Sequence, residues 1–381
     1  MRNVVIMADA NIRAAIATIR ALDGYDLNLF ISFSSNSLLN KIAFWSYIHH
    51  TPLYYDKTSK DAFISSLISM KNELGDYTLL PYGEQQLRWA IAEKDHLTKC
   101  GITVPTVDVN TYELISDKES FVNLCRKFSI DVPKNGLYDK TKFLQKFVIK
   151  PKKLISSSSV LQSPKLIENE KSLSDLNRMD LDLDLHFTQE YISGPSIYYC
   201  TCYKEGHNQL SFTQINLHQQ PNGKSVIKSA PYELPPDIVI KIDTMFKEIG
   251  WDGVVMVELK KDLSSQKYYA IEANPRFWGP LQLSIDNGAN FPAILLGFGN
   301  RINTPPEARI GYIWLAGYLD GLKIKLITSS EFQKYCYVED KIKFRDVWFR
   351  TDTFCFFFIE LLISACSILF GCLWKLKKIV E

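Results

Sequence analysis

The sequence predicts a mixed chain, α/β over its first hundred residues and α+β after that. Two observations carry this expectation. Early on, short apolar strands alternate with amphipathic helices, which is the signature of an open parallel sheet. Later, strands joined by polar loops and turns dominate, with single helices between them. At 381 residues the chain also exceeds the size one hydrophobic core usually reaches, so two or three packed subdomains are expected.

The elements follow in order. Asn3 to Ala8 is a β-branched run that reads as a first strand, and Ala10 to Leu22 follows with Ile12, Ile16, Ile19 and Leu22 at helical spacing. Leu27 to Phe33 is a second strand, Asp61 to Leu74 an amphipathic helix and Tyr77 to Pro81 a further strand. Thr103 to Asp108, with Pro105, leads out of this unit. Lys118 to Phe128 is a helix with Phe121, Leu124, Cys125 and Phe128 on one face, closed by Pro133. Phe147 to Pro151 is a strand ended by a residue that cannot donate to a ladder. Lys152 to Ser163, with four serines at 156–159, is a polar loop. His186 to Ile192 is a strand stopped at Ser193-Gly194-Pro195. Pro235 opens a helix through Ile249, with Gly250 as its stop. Gly253 to Leu259 and Tyr268 to Glu272 are strands joined by the loop Lys260 to Lys267.

Composition narrows the function classes. Forty-four basic and 42 acidic side chains leave a formal charge of +2, which gives no reason to expect nucleic acid as a partner. Any phosphate binding must therefore be local. The eight cysteines form no CxxC pair, and the six histidines show no metal spacing, so free thiols in a reducing cytoplasm are expected. No Walker A sequence occurs, and Gly297-Phe298-Gly299 lacks the third glycine and the preceding strand of a dinucleotide fingerprint.

Two strands interrupt their apolar pattern with a carboxylate: Val-Val-Met-Val-Glu258-Leu and Tyr-Ala-Ile-Glu272-Ala-Asn274. Residues 272 and 274 are two apart and so share a face of the sheet. Hard oxygen ligands converging on one face suit Mg²⁺ (or Mn²⁺), with phosphate oxygens and water completing the shell. Arg276, two residues further on, is suited to hold a terminal phosphate or the acyl group after transfer. Singly, each glutamate reads as a solvent-facing strand residue; the joint pattern with Asn274, Pro275 and Arg276 points to a site.

The run EANPRFWGPLQLSIDNGANFPAILL, from Glu272 to Leu296, closely resembles the last motif of ATP-grasp proteins, in particular those similar to the carbamoyl-phosphate synthetase large subunit. The resemblance extends upstream to about Ser116. It implies a Rossmann-like preATP-grasp domain over residues 1–110 and a two-lobed ATP-grasp domain over 111–320, with lobes of about 111–190 and 191–320. Residues 321–381 form a C-terminal extension. It further implies that Lys118 and Lys150 bind nucleotide phosphates, that Gln189-Glu190-Tyr191-Ile192 is the hinge receiving adenine, and that Ser157 lies in a phosphate-covering loop over Leu154 to Val160. That loop is serine-rich where the family's is glycine-rich, and Ser196 stands where the family commonly has an acidic ribose ligand. The implied cofactors are ATP and Mg²⁺ (or Mn²⁺). The implied reaction attacks the γ-phosphate with a substrate carboxylate, and an amine (or thiol) captures the resulting acyl phosphate. The alternatives are carboxylation or carbamoyl-phosphate chemistry, and a non-catalytic nucleotide-binding module.

Trp251, Phe277 and Trp278 read as core packing, with Phe277-Trp278-Gly279 as the alternative lining of a substrate cleft. Phe354 to Trp374 holds one charge, Glu360, in twenty-one residues and is long enough to span a bilayer. Its small and polar residues, Glu360, Ser364, Ser367 and Gly371, continue to Lys375 and Lys378 as one helical stripe. Three placements compete: a spanning helix, an interfacial helix whose lysines meet anionic lipid at the inner membrane face, and a helix packed on the enzyme or on a second copy in a homodimer.

Overall fold

The structure, a computed structural model, describes residues 1–136, 138–152, 160–161, 163–220, 225–299, 309–323 and 342–366. The N-terminal strands are β1 (Arg2–Met7), β2 (Leu27–Phe33), β3 (Leu53–Tyr54), β4 (Tyr77–Pro81) and β5 (Ile102–Thr103). They form one parallel sheet in the order β3-β2-β1-β4-β5. Its helices are α1 (Ile12–Leu22), α2 (Leu38–Ala43), α3 (Lys60–Leu74), α4 (Glu84–Ala92) and α5 (Lys94–Lys99). Central β1 buries Val4, Val5, Ile6 and Met7 on both faces, which is why it reads as a continuous apolar run rather than an alternating one. The Asn11 side chain caps α1 by accepting from Ala14 N at 3.3 Å, and α1 turns Ala14, Ile16, Ile19 and Leu22 inward.

Two capped helices lead out: α6 (Val109–Ser116) behind Asp108 and α7 (Lys118–Lys127) behind Asp117. A small antiparallel sheet follows, β6 (Phe147–Pro151) with β7 (Lys165–Ile167) and β8 (His186–Glu190), in the order β7-β6-β8. The helix α8 (Glu170–Asn177) covers it, and Phe147, Ile149, Ile167, Leu173 and Leu176 make a core of its own.

A seven-stranded sheet completes the chain. Its strands are β9 (Ser196–Lys204), β10 (His207–Gln219), β11 (Val226–Pro231), β12 (Gly253–Lys261), β13 (Tyr268–Asn274), β14 (Ile310–Ile313) and β15 (Lys343–Asp346). They lie in the order β13-β12-β9-β10-β11-β14-β15, antiparallel except for β14 and β15. Its helices are α9 (Pro236–Glu248), α10 (Leu281–Asp286), α11 (Phe291–Leu295) and α12 (Leu315–Lys323). Two continuous cores run between this sheet and the N-terminal one, the first joining Val5 and Leu79 to Tyr199 and Val257, the second joining Val4 and Ile6 to Cys200 and Trp278. Among the described residues only the small sheet is cored separately. Gly194, between β8 and β9, lies where a Cβ would fall 1.8 Å from the carbonyl oxygen of Lys261, so this turn has room for glycine alone.

The expected strands and helices are present to within a few residues, and the run expected through Ile192 ends as a strand at Glu190. The helix over residues 354–366 packs on the protein body. Phe356 meets Trp348 edge-on at 4.9 Å, and Arg20 of α1 grips the turn before the helix through Asp352 and Thr353. Its polar stripe faces inward: Glu360 accepts from Trp314 Nε1 at 3.1 Å, and Ser364 is buried. Phe354, Phe358, Leu362 and Ile363 are exposed instead. Of the three placements, the described part of the helix takes the one packed on the enzyme, where an indole donor inside the protein satisfies the Glu360 carboxylate, while Lys375 and Lys378 lie outside the described residues. Among the described residues no helix is long and apolar enough to cross a membrane. Residues 367–374 of the expected span lie outside them.

Candidate active site

Glu258 and Glu272 are direct register partners on the antiparallel strands β12 and β13. Opposite positions on one face bring Cβ atoms to about 5 Å, where two like charges repel. Each carboxylate has its own support. Glu258 Oε1 accepts from Ser196 Oγ at 2.7 Å, and Glu272 Oε1 accepts from Asn274 Nδ2 at 3.1 Å. Burial, and after it the charge of Glu272, raises Glu258 above the ordinary glutamate range, against the opposing pull of Lys260, Ser196 and Lys150. Burial also pushes Glu272 upward, but Lys118, Lys150, Asn274 and Arg276 outweigh it and leave the group lowered. The pair thus titrates apart.

Besides Lys260 on β12 itself, three cations from other parts of the chain act on these acids. Lys150, on β6 of the small sheet, is almost wholly buried, and its Nζ lies 3.8 Å from Glu272 Oε2 and 3.5 Å from the Ile271 carbonyl oxygen. Burial lowers its pKa, and Lys118 adds to that effect while Glu272 and Glu258 oppose it. Lys118 opens α7 and lines a small cavity together with Glu272, Asn274 and Arg276. Arg276 folds back over the strand end, with Nη1 donating to the Phe277 carbonyl oxygen at 3.3 Å and Nη2 to Asn274 Oδ1 at 3.5 Å. Elements from the linker, the small sheet and the large sheet therefore meet at one charged point.

The donor set fits a hard divalent cation. Among the described residues no group of three or more His, Cys, Asp or Glu side chains is gathered for a metal. Two carboxylates with Asn274 beside them match an Mg²⁺ site that takes its remaining ligands from phosphate and water. The repulsion between Glu258 and Glu272 is what such an ion would relieve.

Of the remaining expected site residues, Gln189 to Ile192 lie on and just after β8, the direct neighbour of the strand that carries Lys150. Gln189 and Glu190 end β8, where Gln189 pairs with Val148 and is buried. The Glu190 amide donates to the Lys134 carbonyl oxygen at 2.7 Å, and the Tyr191 amide donates to that of Lys146 at 3.2 Å. Ile192 is largely buried beyond the strand end. Ser157 lies outside the described residues. Ser196, which stands where the family commonly has an acidic ribose ligand, is buried and donates to Glu258.

A cleft of about 550 Å³ opens beside the carboxylates. Glu258, Glu272, Asn274 and Arg276 line its inner end, and Asp9, Arg13 and Glu84 come from the N-terminal unit. Trp278, Trp314, Trp348 and Phe356 supply an aromatic wall, with Glu360 beside them. Trp278 therefore serves both packing and cleft, whereas Trp251 and Phe277 are core residues. Sequence reasoning missed Ser196 as a partner of Glu258 and missed Arg13 altogether. Ser196 pairs across the ladder with Lys260, two residues beyond Glu258 and so on the same face, a relation that only the strand register reveals; nothing local marks Arg13.

No family model and no curated protein matches the sequence. Solved structures do match in shape. A Campylobacter jejuni biotin carboxylase, solved as a β,γ-ATP complex, is similar with a TM-score of 0.61 at 13% identity over 80% of this chain and 72% of that one. An L-amino acid ligase from Bacillus licheniformis is similar with a TM-score of 0.58 at 15% identity, over 81% and 75% of the two chains. The biotin carboxylase domain dimer of Hydrogenobacter thermophilus 2-oxoglutarate carboxylase, in complex with MgADP, ADP and bicarbonate, gives 0.58 at 15% over 79% and 70%. These are ATP-grasp proteins, and the fold of this chain is the ATP-grasp fold.

Proposed function

We propose that this chain is an ATP- and Mg²⁺-dependent ligase that activates a substrate carboxylate as an acyl phosphate and joins it to an amine or thiol. The observation that carries the reading is the meeting of Lys118, Lys150 and Arg276 around Glu258, Glu272 and Asn274. Phosphoryl transfer needs positioning and charge neutralisation more than a covalent nucleophile, and this set supplies both. In this reading residues 1–110 act as the preATP-grasp domain, and 111–320 as the two-lobed ATP-grasp domain.

Each residue then has a task. Lys118 and Lys150 hold phosphate oxygens, Lys150 from the small sheet so that nucleotide binding ties the two lobes together. Glu258, Glu272 and Asn274 would hold Mg²⁺, which when bound neutralises phosphate charge. Arg276 steadies the oxygens of the transferred phosphoryl group beside the cleft. The substrate carboxylate attacks the γ-phosphate, ADP leaves, and the amine displaces phosphate from the acyl carbon. Gln189 to Ile192 supply the adenine edge, and the loop bearing Ser157 covers the phosphates.

ADP release with pools of carboxylates and amines, in wild type and in Glu272→Gln, tests this. Release that requires Mg²⁺ and disappears in the variant is expected. Release with bicarbonate as the sole carboxylate would move the reading to carboxylation, and ATP binding with no ADP formed across broad pools would replace it with a non-catalytic module.

A further inference from the structure

The outer part of the cleft carries a cation that the chemistry above does not use. Arg13, in the first turn of α1, lies with its guanidinium 4.0 Å over the Trp314 ring. Nη1 donates to the Val226 carbonyl oxygen at 3.2 Å and to Tyr312 Oη at 3.1 Å, and Nη2 donates to Ser225 Oγ at 3.4 Å. All three acceptors are neutral, and among the described residues no ion pair joins Arg13 to a carboxylate. A guanidinium has five N–H groups, so donors remain.

The acids nearby are otherwise engaged. Asp9 accepts from the Ser34 amide at 2.9 Å and from Tyr55 Oη at 2.6 Å. Glu84 pairs with Arg88 at 3.0 Å, and Glu360 accepts from the Trp314 indole. Trp278 and Trp348 line the same cleft almost fully buried, and their indole N–H groups meet no acceptor among the described residues. Beyond the two acid residues of the metal end, the cleft thus offers the remaining donors of one guanidinium, engaged acids and a flat aromatic wall.

We propose that this part of the cleft binds the nucleophile, and that the nucleophile is an amino acid with an aromatic side chain, its carboxylate held by Arg13. The side chain lies against the aromatic wall, chiefly Trp314, the most exposed of its rings. This rests on the ligase reading. The amine nitrogen forms a C–N bond to the acyl carbon, the C–O bond to phosphate breaks with its electron pair going to phosphate, and the nitrogen's proton passes to the departing phosphate. Arg13 is a binding residue in this scheme.

Calorimetric titration of the full chain, with Mg²⁺ and a non-hydrolysable ATP analogue, tests the anchor without turnover. Phenylalanine and tryptophan are compared with phenethylamine and tryptamine, which lack only the carboxylate. The amino acids are expected to bind about 10- to 100-fold more tightly, the span of one charge-assisted bidentate contact. Arg13→Gln should erase that preference by weakening the amino acids alone, and Arg13→Lys should keep part of it. Equal binding of acid and amine by wild type, no binding of either, or a preference that survives Arg13→Gln would overturn the proposal. The wild-type comparison stands whether or not a variant folds. Amino-acid binding with the expected pattern but no ADP release would sink the ligase reading and leave the anchor intact.

Discussion

Replacing Glu258 by glutamine tests whether the paired carboxylates are built for a cation. Glu258 and Glu272 face each other across β12 and β13, at a separation of about 5 Å for such register partners. At an effective dielectric of about 20, two unit charges at that distance repel by roughly 3 kcal/mol. Lys118, Lys150, Lys260 and Arg276 offset much of this, so a net relief of about 1 kcal/mol is expected when one charge is removed. Glutamine keeps an oxygen to accept from Ser196 Oγ, so the 2.7 Å contact survives. Without metal, Glu258→Gln should therefore melt at the wild-type temperature or about 1–3 °C above it. With Mg²⁺ and ADP near 100 times the dissociation constant, wild type should gain about 2.7 kcal/mol and the variant far less.

The pH dependence sharpens the test. Because the folded Glu258 pKa is raised, the folded chain holds the extra proton, and stability is present below the ordinary value of 4.5 and lost as pH rises through the raised one. Mg²⁺ competes with that proton, so its stabilisation should grow over the same interval in wild type and lose that growth in the variant. Differential scanning calorimetry at several pH values, with and without Mg²⁺-ADP, reads all of this. A metal-free variant less stable than wild type by 2 kcal/mol or more, with its Mg²⁺ response intact, would refute the argument and make the pair structural.

Two further outcomes follow from the same geometry. Lys150→Met removes the buried ammonium beside Glu272 and should raise the dissociation constant for ATP about 10- to 100-fold, measured by titration calorimetry. Arg20→Ala strips Asp352, Gln282, Thr353 and the Val347 carbonyl of one shared partner and should cost about 3–5 kcal/mol in urea unfolding, with earlier proteolytic cleavage near residue 350.

The inner end of the site was legible in sequence because its logic is local. Glu272 and Asn274 share a face by the period of a strand, and Lys150 sits before the proline that ends another. What escaped was whatever depends on distant pairing. Strand β9 is buried on both faces and so lacks the alternation that marks a strand, although it is the hydrogen-bonded neighbour of β12 that brings Ser196 to Glu258. Arg13 sits in an apolar helix as any solvated arginine might, and its meaning comes from Trp314, some three hundred residues on. The stripe through Glu360 and Ser364 showed periodicity but not direction, since a helix pattern names a polar side without saying what that side meets.

That inward turn makes the C-terminal helix part of the cleft rather than an appendage. Phe356 and Glu360 form its wall on one side of the helix, while Phe354, Phe358, Leu362 and Ile363 stand outside on the other. Trimming the chain after Arg350, the obvious way to separate a greasy tail from an enzyme, would also unroof the pocket. A shift in cellular location and a loss of turnover would then arrive together and could not be told apart. Polar substitutions at Phe358 and Leu362 alone alter the outer side and leave the wall standing.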